Sequence, residues 1–184
     1  VVPGKTLSMY GARWEFFYAV HTIPTIGFRV SVRGSDGRDH TIVYSSDTIH
    51  FDGLEEMRMA GAISSQHAER MRNLLGGGER LAIIDGGGRP IHGVPADYAA
   101  LAAAHPETEI LFFHVAPEKV EEGRWSVATP GWSRTLLPGK SLPQPLVLKI
   151  LNADLPIGTP HPRHPVAHAD GEGAAVFFVF SRCA

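Results

Sequence analysis

Three side chains that suit metal binding, His21, Asp47 and His114, stand at the ends of apolar runs that are typical of strands. In layered α/β folds, ligands bind at strand ends, because the sheet holds side chains rigidly there and the loops leave room. Two imidazoles and a carboxylate form a metal-type set, since the carboxylate can bridge two cations and each imidazole supplies one nitrogen. Such a dinuclear centre turns water into hydroxide near neutral pH. The alternative, from residue type alone, is that each histidine is a hydrogen-bonded structural residue.

The glycine-rich loop with the sequence DGGGRPIH holds the candidate substrate-binding residues. Gly86, Gly87 and Gly88 would let the backbone approach a ligand and present its NH groups to a phosphate. Arg89 can contact two phosphate oxygens, and His92 could protonate a leaving alkoxide. The alternative is a tight glycine turn whose arginine and histidine face solvent.

The elements that must position these residues alternate between strands and helices. Aromatic and β-branched residues mark the strands, and apolar residues at helical spacing, interrupted at Gly61, mark the first helical region. Helix between strands, repeated twice, predicts an α/β layered domain. The predicted strands are 14–20, 26–33, 41–45, 81–85 and 109–115, and the predicted helical segments are 54–75 and 95–105.

The chain is expected to divide near residue 125. Residues 1–125 form the main domain, and residues 126–184 are a proline- and glycine-rich tail or closing strands of the same domain, with strands at 145–152 and 174–181. The tail contains three closely spaced histidines, but prolines prevent a helix from bringing them to one face, so a structural loop is predicted there. These histidines are His161, His164 and His168.

Composition sets further limits. A length of 184 residues suits one domain or half of a larger one. Seventeen Lys+Arg against nineteen Asp+Glu give a net charge of -2, which excludes nucleic-acid binding through a global basic excess. The single cysteine forms no internal disulfide, and no run approaches the roughly 20 apolar residues that span a bilayer. We therefore expect a cytoplasmic protein with no membrane partner.

Four segments resemble, in order and spacing, the C-terminal half of metallo-β-lactamase-fold hydrolases, in particular the phosphodiesterase branch with tRNase Z-like enzymes and cyclic nucleotide phosphodiesterases. The resemblance covers about residues 5–130 and implies an αββα sandwich. It also implies that His21, Asp47 and His114 are metal ligands, with Asp47 bridging two divalent cations, zinc or manganese. The segments are HTIPTIGF, TIVYSSDT, LAIIDGGGRPIHG and EILFFHV.

The resemblance extends to the residues that handle protons. Asp85 matches the acid of the H-E-A-T string in tRNase Z-like enzymes, and Ile84 stands where its histidine would be. We expect His92 to replace that histidine from the other side of the loop, so that Asp47, Asp85 and His92 are the catalytic residues. Ser46 stands where the family usually has glycine, which is tolerated if the backbone there needs no positive φ.

One family feature is missing from the sequence. The H-x-H-x-D-H loop that supplies the other metal ligands does not occur in these 184 residues, which leaves two protein ligands for each ion instead of the usual three. We therefore expect the N-terminal half of the domain, as an upstream segment or a second chain, to complete the site. Half a sandwich would also expose a long apolar sheet face and edge, which predicts a homo- or hetero-oligomer.

The resemblance implies a metal-dependent phosphodiesterase, a phosphoric diester hydrolase that is active when the missing half is present. Its substrate would be a cyclic nucleotide or RNA, and the near-neutral charge favours the small nucleotide. Two alternatives stay open: a non-catalytic, degenerate binding module on the same fold, and a lactonase-type hydrolase on the same scaffold.

Overall fold

A computed structural model describes most of the first 128 residues and the backbone of three later strands. The chain divides into two compact units, Val1–Arg33 with Asp39–Val127, and Gly34–Arg38 with Ala128–Ala184. Every candidate site residue lies in the first unit. The described residues are 4–9, 11–34, 37–76, 78–120 and 125–128, together with 133–135, 147–150 and 176–177.

The described part of the larger unit is built on a seven-stranded mixed sheet whose strands lie side by side in chain order. The first four strands are antiparallel to their neighbours, whereas the fourth to the seventh run parallel. Parallel neighbours need a crossover connection, and helices occupy the two long ones. The elements are β1 (Thr6–Met9), β2 (Ala12–Tyr18), β3 (Ile26–Arg33), β4 (Asp39–Tyr44), α1 (Phe51–Met59), α2 (Ser65–Arg72), β5 (Glu79–Asp85), α3 (Ala99–Ala104), β6 (Glu109–Phe113) and β7 (Ser126–Val127).

Both faces of this sheet are apolar. On the helix side, alternate residues of the central strands pack against α1 and α2, with Val43, Ile84 and Phe112 among the buried residues. On the opposite face, Trp14 contacts Phe28 across β2 and β3, with ring centroids 5.4 Å apart. The period of two along each strand sends alternate side chains to these two faces.

The predicted α/β class is confirmed, and the expected exposed apolar face is found in part. On the face opposite the helices, Trp14, Val30 and Ile83 are buried, with at most 5% of any of them exposed. Leu7, Tyr18 and Ile26 lie on the same face towards the first strand and are 36%, 52% and 42% exposed. The expected association with another half or another copy stays a prediction.

The predicted helical region between residues 54 and 75 forms two helices, which separate near Gly61 (φ 71°) as expected. Each begins at a side-chain cap. His50 Nδ1 accepts a hydrogen bond from the Gly53 amide at 3.1 Å, and Ser64 Oγ accepts one from the His67 amide at 3.1 Å. His50 is thus buried in a capping role.

The second unit contains, in its described part, a three-stranded antiparallel sheet. The predicted strands at 145–152 and 174–181 contain two of its strands. The late histidine cluster lies outside the described residues. The strands are β8 (Ser133–Thr135), β9 (Val147–Ile150) and β10 (Val176–Phe177).

None of the helices in the described ranges has the length and apolar character required to cross a bilayer.

Candidate metal centre

The candidate site lies at one edge of the larger sheet because four strands point their carboxyl ends there. β4, β5 and β6 are parallel, and β2 runs in the same direction because it is separated from β4 by the antiparallel β3. His21 follows β2, Asp47 follows β4, Asp85 is the last residue of β5, and His114 follows β6. Residues that are far apart in the sequence therefore meet at this edge.

The side chains at this edge approach one another closely. His114 Nδ1 lies 3.5 Å from Asp47 Oδ1 and 3.5 Å from Asp85 Oδ1. His92 Nδ1 lies 2.8 Å from Asp85 Oδ2. The His92 ring centroid is 5.1 Å from that of His21 and 5.4 Å from that of His114. Three imidazoles and two carboxylates thus form one cluster.

The tightest group in this cluster differs from the predicted ligand set. Among the described residues, Asp85, His92 and His114 offer ligand atoms that all lie within 4.8 Å of one another. Only His114 belongs to the predicted triad, in which Asp47 and His21 were the other ligands. Asp85 and His92 were predicted to act in proton transfer. The position of Asp85 at the end of a parallel strand was the signal that could have marked it as a ligand as well.

Asp85 is the most enclosed member of the cluster, with no exposed surface. Its Oδ2 accepts a hydrogen bond from the Thr48 amide at 3.0 Å, and its Oδ1 accepts one from the Gly87 amide at 3.1 Å. Burial alone would raise the pKa of this carboxyl group. Hydrogen bonds from His114, the two amides and His92 outweigh burial and lower the pKa below its ordinary value. Asp85 is therefore held as a carboxylate.

Asp47 has a different environment. Thr25 Oγ1 donates a hydrogen bond to the Asp47 carbonyl oxygen at 3.1 Å, which fixes the backbone of this loop. Burial raises the pKa of the Asp47 carboxyl group, His114 opposes the rise, and the nearby charge of Asp85 adds to it. The pKa values of the two carboxyl groups are therefore shifted in opposite directions.

The residues that flank Asp47 serve Asp85 instead. Ser45 Oγ accepts a hydrogen bond from the Asp85 amide at 2.9 Å, and the Thr48 amide bonds to the Asp85 carboxylate. The sequence suggests that these residues orient Asp47, whereas the contacts seen here join β4 to β5. The loop after β4 thus holds Asp85, the last residue of β5, in place through hydrogen bonds.

Ser46 requires a correction. Its φ is 58°, in the left-handed region, so the condition under which serine replaces the family's glycine without strain is not met. His114 has the same φ of 58°. A side chain in this region costs about 1–2 kcal/mol relative to ordinary backbone. Strain is thus stored on both sides of the contact between Asp47 and His114.

Ser46→Gly is expected to raise the free energy of unfolding by about 0.5–1 kcal/mol, because glycine adopts a positive φ without the Cβ penalty but loses more chain entropy on folding. Urea denaturation of the full chain measures this. Ser46→Ala is the matched control, since it removes the hydroxyl group and keeps the strain. A glycine variant that is no more stable than the alanine variant contradicts the strain argument.

The predicted phosphate cradle is not supported by the loop geometry. The Gly86, Gly87 and Gly88 amides donate to Phe113 O, Asp85 Oδ1 and Gly93 O, at 2.9, 3.1 and 2.9 Å. Each NH group that was expected to face a phosphate is therefore used inside the protein. These contacts are long-range or depend on the loop conformation, which the run of glycines does not specify.

The glycines instead make room for the cluster. A Cβ on Gly87 would lie 2.9 Å from His92 Cγ and 3.2 Å from His114 Cβ. A Cβ on Gly93 would clash with the Asp85 carbonyl oxygen. Because these glycines have no side chain, the loop packs closely enough for His92 to contact Asp85 at the end of β5.

The contacts of Arg89 do not support its predicted role in phosphate binding either. It forms an ion pair with Asp52 in the first turn of α1, and both side chains are more than half exposed. A pair of this kind contributes little to stability. In the structure Arg89 is a contact between the loop and α1.

Two features of the cluster suit a divalent cation: the types of its donor atoms, and a buried ring nitrogen that has no hydrogen-bond partner. His21 Nε2 is buried and has no hydrogen-bond partner among the described residues, and the same holds for Thr48 Oγ1. A buried imidazole nitrogen without a partner costs free energy unless it binds something. Histidine nitrogens and carboxylate oxygens are the ligands that zinc and manganese use.

Comparison with known proteins gives partial matches. No family model matches the chain. A cAMP/cGMP-dependent 3',5'-cAMP/cGMP phosphodiesterase B of Dictyostelium discoideum is 29% identical over 93 residues, which are 50% of this chain and 8% of the relative. A cGMP-dependent 3',5'-cGMP phosphodiesterase A of the same organism is 27% identical over 139 residues, which are 74% of this chain and 15% of the relative. The chain thus spans a small part of these relatives.

A solved structure, the metallo-β-lactamase fold protein YhfI from Bacillus subtilis, is 17% identical with a TM-score of 0.46, over 72% of this chain and 52% of that chain. The resemblance to phosphodiesterases that the four segments predicted is supported by the sequence similarity to these two relatives.

Proposed function

We propose that this chain supplies part of the active site of a metal-dependent phosphodiesterase. The observation that carries the proposal is the cluster of two carboxylates and three imidazoles at one sheet edge, with the His21 Nε2 atom buried and unsatisfied. The similarity to two phosphodiesterases supports the same reaction class.

Two divalent cations, zinc or manganese, would be held by His21, Asp47 and His114, with Asp85 and His92 as further ligands within reach. Cations in such a site polarise a phosphoryl oxygen and lower the pKa of bound water. Asp47 is the proposed bridging ligand. Its contact with His114 at 3.5 Å supports this assignment.

Where His92 does not bind a cation, Asp85 and His92 would form a proton-transfer pair in the same reaction. The Asp85 carboxylate holds the His92 ring through Nδ1, at 2.8 Å. The other ring nitrogen, Nε2, is then the one that can exchange a proton with a substrate, and it could protonate the leaving alkoxide. Because Asp85 is fixed by backbone amides, the orientation of His92 is set before substrate binds.

The proposed substrate is a cyclic nucleotide in preference to RNA. The names of both relatives refer to 3',5'-cyclic nucleotides, and the net charge of -2 provides no global basic surface for a long polyanion. The substrate phosphate would sit over the cluster.

We further propose that ligands from outside this chain complete the site. The sequence lacks an H-x-H-x-D-H string, and catalytic zinc usually has three protein ligands. An upstream segment or a second polypeptide would supply the remaining ligands, in a homo- or hetero-oligomer where a second chain does so.

The test is metal content and hydrolysis in the complete assembly. We expect about two equivalents of bound metal, cleavage of bis(p-nitrophenyl) phosphate and of a 3',5'-cyclic nucleotide, and loss of both metal and turnover by at least tenfold in Asp47→Ala. Elemental analysis and initial rates measure these quantities.

Asp39→Ala is the matched control. Asp39 is an exposed carboxylate at the opposite end of the strands, where it pairs with Arg13 and Arg33. Its removal should leave metal content and rates unchanged. Normal turnover in Asp47→Ala would remove this residue from the mechanism, and a folded assembly without metal would favour the binding-module alternative.

A further inference from the structure

Within the cluster, Asp85, His92 and His114 form a group of their own, which we call the trio. Their ligand atoms all lie within 4.8 Å of one another. In a four-coordinate zinc site with bonds of about 2.1 Å, neighbouring ligand atoms lie about 3.4 Å apart. His114 Nδ1 lies 3.5 Å from Asp85 Oδ1, and His92 Nδ1 lies 2.8 Å from Asp85 Oδ2. One carboxylate therefore meets two imidazole nitrogens at distances close to those of a metal site.

The trio combines a fixed anion with two imidazoles that solvent can reach. The Asp85 carboxylate has no exposed surface, and the Thr48 and Gly87 amides hold its two oxygens in place. The side chains of His92 and His114 are each 24% exposed. A cation can thus enter from the side of the imidazoles and meet a carboxylate that is already oriented, which is the preorganisation that a metal site requires.

The number of ligands separates the trio from the set predicted from the sequence. With His21, Asp47 and His114 shared between two cations, each cation receives two ligands from this chain. The trio gives a single cation three ligands, which is the number that the protein supplies in catalytic zinc sites. In addition, Asp47 Oδ1 lies 3.5 Å from His114 Nδ1 and places a further negative charge beside the trio.

We propose that this chain by itself holds one divalent transition-metal cation, such as zinc, at Asp85, His92 and His114. Two imidazole nitrogens and one carboxylate oxygen are ligands of zinc, whereas magnesium and calcium take oxygen ligands. In the metal-bound chain, Asp85 and His92 are ligands and not a proton-transfer pair. The inference goes beyond the proposed function, because it concerns the chain without its missing half and without any reaction.

Zinc binding to the full chain tests the inference. Calorimetric titration of the metal-free chain should show one bound zinc ion, and His92→Gln should weaken binding by at least about tenfold. The three late histidines could bind zinc adventitiously, so all titrations use a chain in which glutamine replaces them. These substitutions are His161→Gln, His164→Gln and His168→Gln.

His105→Gln is the matched control for the loss of a histidine. His105 Nδ1 lies 3.6 Å from Glu107 Oε1 and its side chain is 28% exposed, so its burial and its carboxylate partner resemble those of His92. His105 precedes β6, whereas His114 follows that strand. Zinc affinity should stay unchanged in this variant. It should also stay unchanged in His21→Gln, because His21 belongs to the set predicted from the sequence but not to the trio.

A spectroscopic readout reports the coordination itself. Cobalt(II) absorbs visible light more strongly in a four-coordinate site than in a six-coordinate one, and this strong absorption should form in the chain and be lost in His92→Gln. His114→Asn should lose it as well. Asparagine tolerates the positive φ of 58° that His114 adopts, so the backbone there is not newly strained. Urea denaturation with a chelator present checks that both variants are folded.

The outcomes distinguish this inference from the proposed function. Binding that is absent, that disappears with the late histidines, or that weakens in His21→Gln but not in His92→Gln overturns the trio. If the complete assembly still holds metal and hydrolyses phosphodiesters, the proposed function then stands alone. One zinc ion bound through the trio, with no hydrolysis by the complete assembly, supports the inference and overturns the proposed function.

Discussion

Asp85→Asn is expected to lower the free energy of unfolding by about 3 kcal/mol and metal affinity by about 10- to 100-fold. The Asp85 carboxylate is fully buried and accepts hydrogen bonds from the Thr48 and Gly87 amides and from His92. An asparagine amide has one acceptor oxygen, so its NH2 group must face at least one donor. The buried donor that is left without an acceptor supplies most of the loss.

Urea denaturation in the presence of a chelator measures the loss of stability, and metal titration measures the loss of affinity. Asp97→Asn is the matched control. Asp97 Oδ2 accepts a single hydrogen bond, from the Phe51 amide at 2.7 Å, which an asparagine oxygen can still accept. We expect a loss below about 1 kcal/mol for the control. Equal losses in the two variants would show that Asp85 is not the centre of a hydrogen-bond network.

Arg29→Met is expected to destabilise the chain by about 3 kcal/mol. Glu79 has no exposed side-chain surface, and Arg29 binds it through Nε at 3.1 Å and Nη2 at 3.0 Å. Arg29 Nη2 also donates to Leu74 O at 2.9 Å. Methionine keeps much of the apolar stem of arginine but supplies no charge, so a buried carboxylate loses this cation.

Arg33→Met is the control for the loss of an arginine as such. Arg33 pairs with Asp39 at 3.0 Å, but its side chain is 70% exposed, and exposed pairs contribute about 0–1 kcal/mol. Thermal and urea unfolding measure the loss of stability in both variants. If Arg29→Met loses no more stability than Arg33→Met, burial of Glu79 is not what makes the pair strong.

The order and type of the longer elements could be predicted because they depend on local patterns, whereas the short strands β1, β7 and β8 were not predicted. The strand at 26–33 has the predicted bounds, and the strands that end before Asp47 and at Asp85 differ from prediction by a few residues at their ends. The rule that ligands collect at strand ends then placed three candidate ligands at one sheet edge. The division of 54–75 into two helices followed from a single glycine.

The internal geometry of the site could not be predicted in the same way. The amides of the three successive glycines bond to Phe113, Asp85 and Gly93, and two of these partners are fixed by packing between strands or by the path of the loop. Ser46 adopts a positive φ, a conformation that serine does not favour locally. Sequence patterns report local preference, and these features arise where tertiary contacts override it.

β5 begins and ends with a buried carboxylate, Glu79 and Asp85, which lie about 20 Å apart along the strand. The first joins an arginine in an ion pair that secures the sheet, and the second belongs to the cluster. Sites at this separation affect the folding equilibrium independently. Evolution could therefore have altered the chemistry at one end of the strand while the other end continued to anchor the architecture.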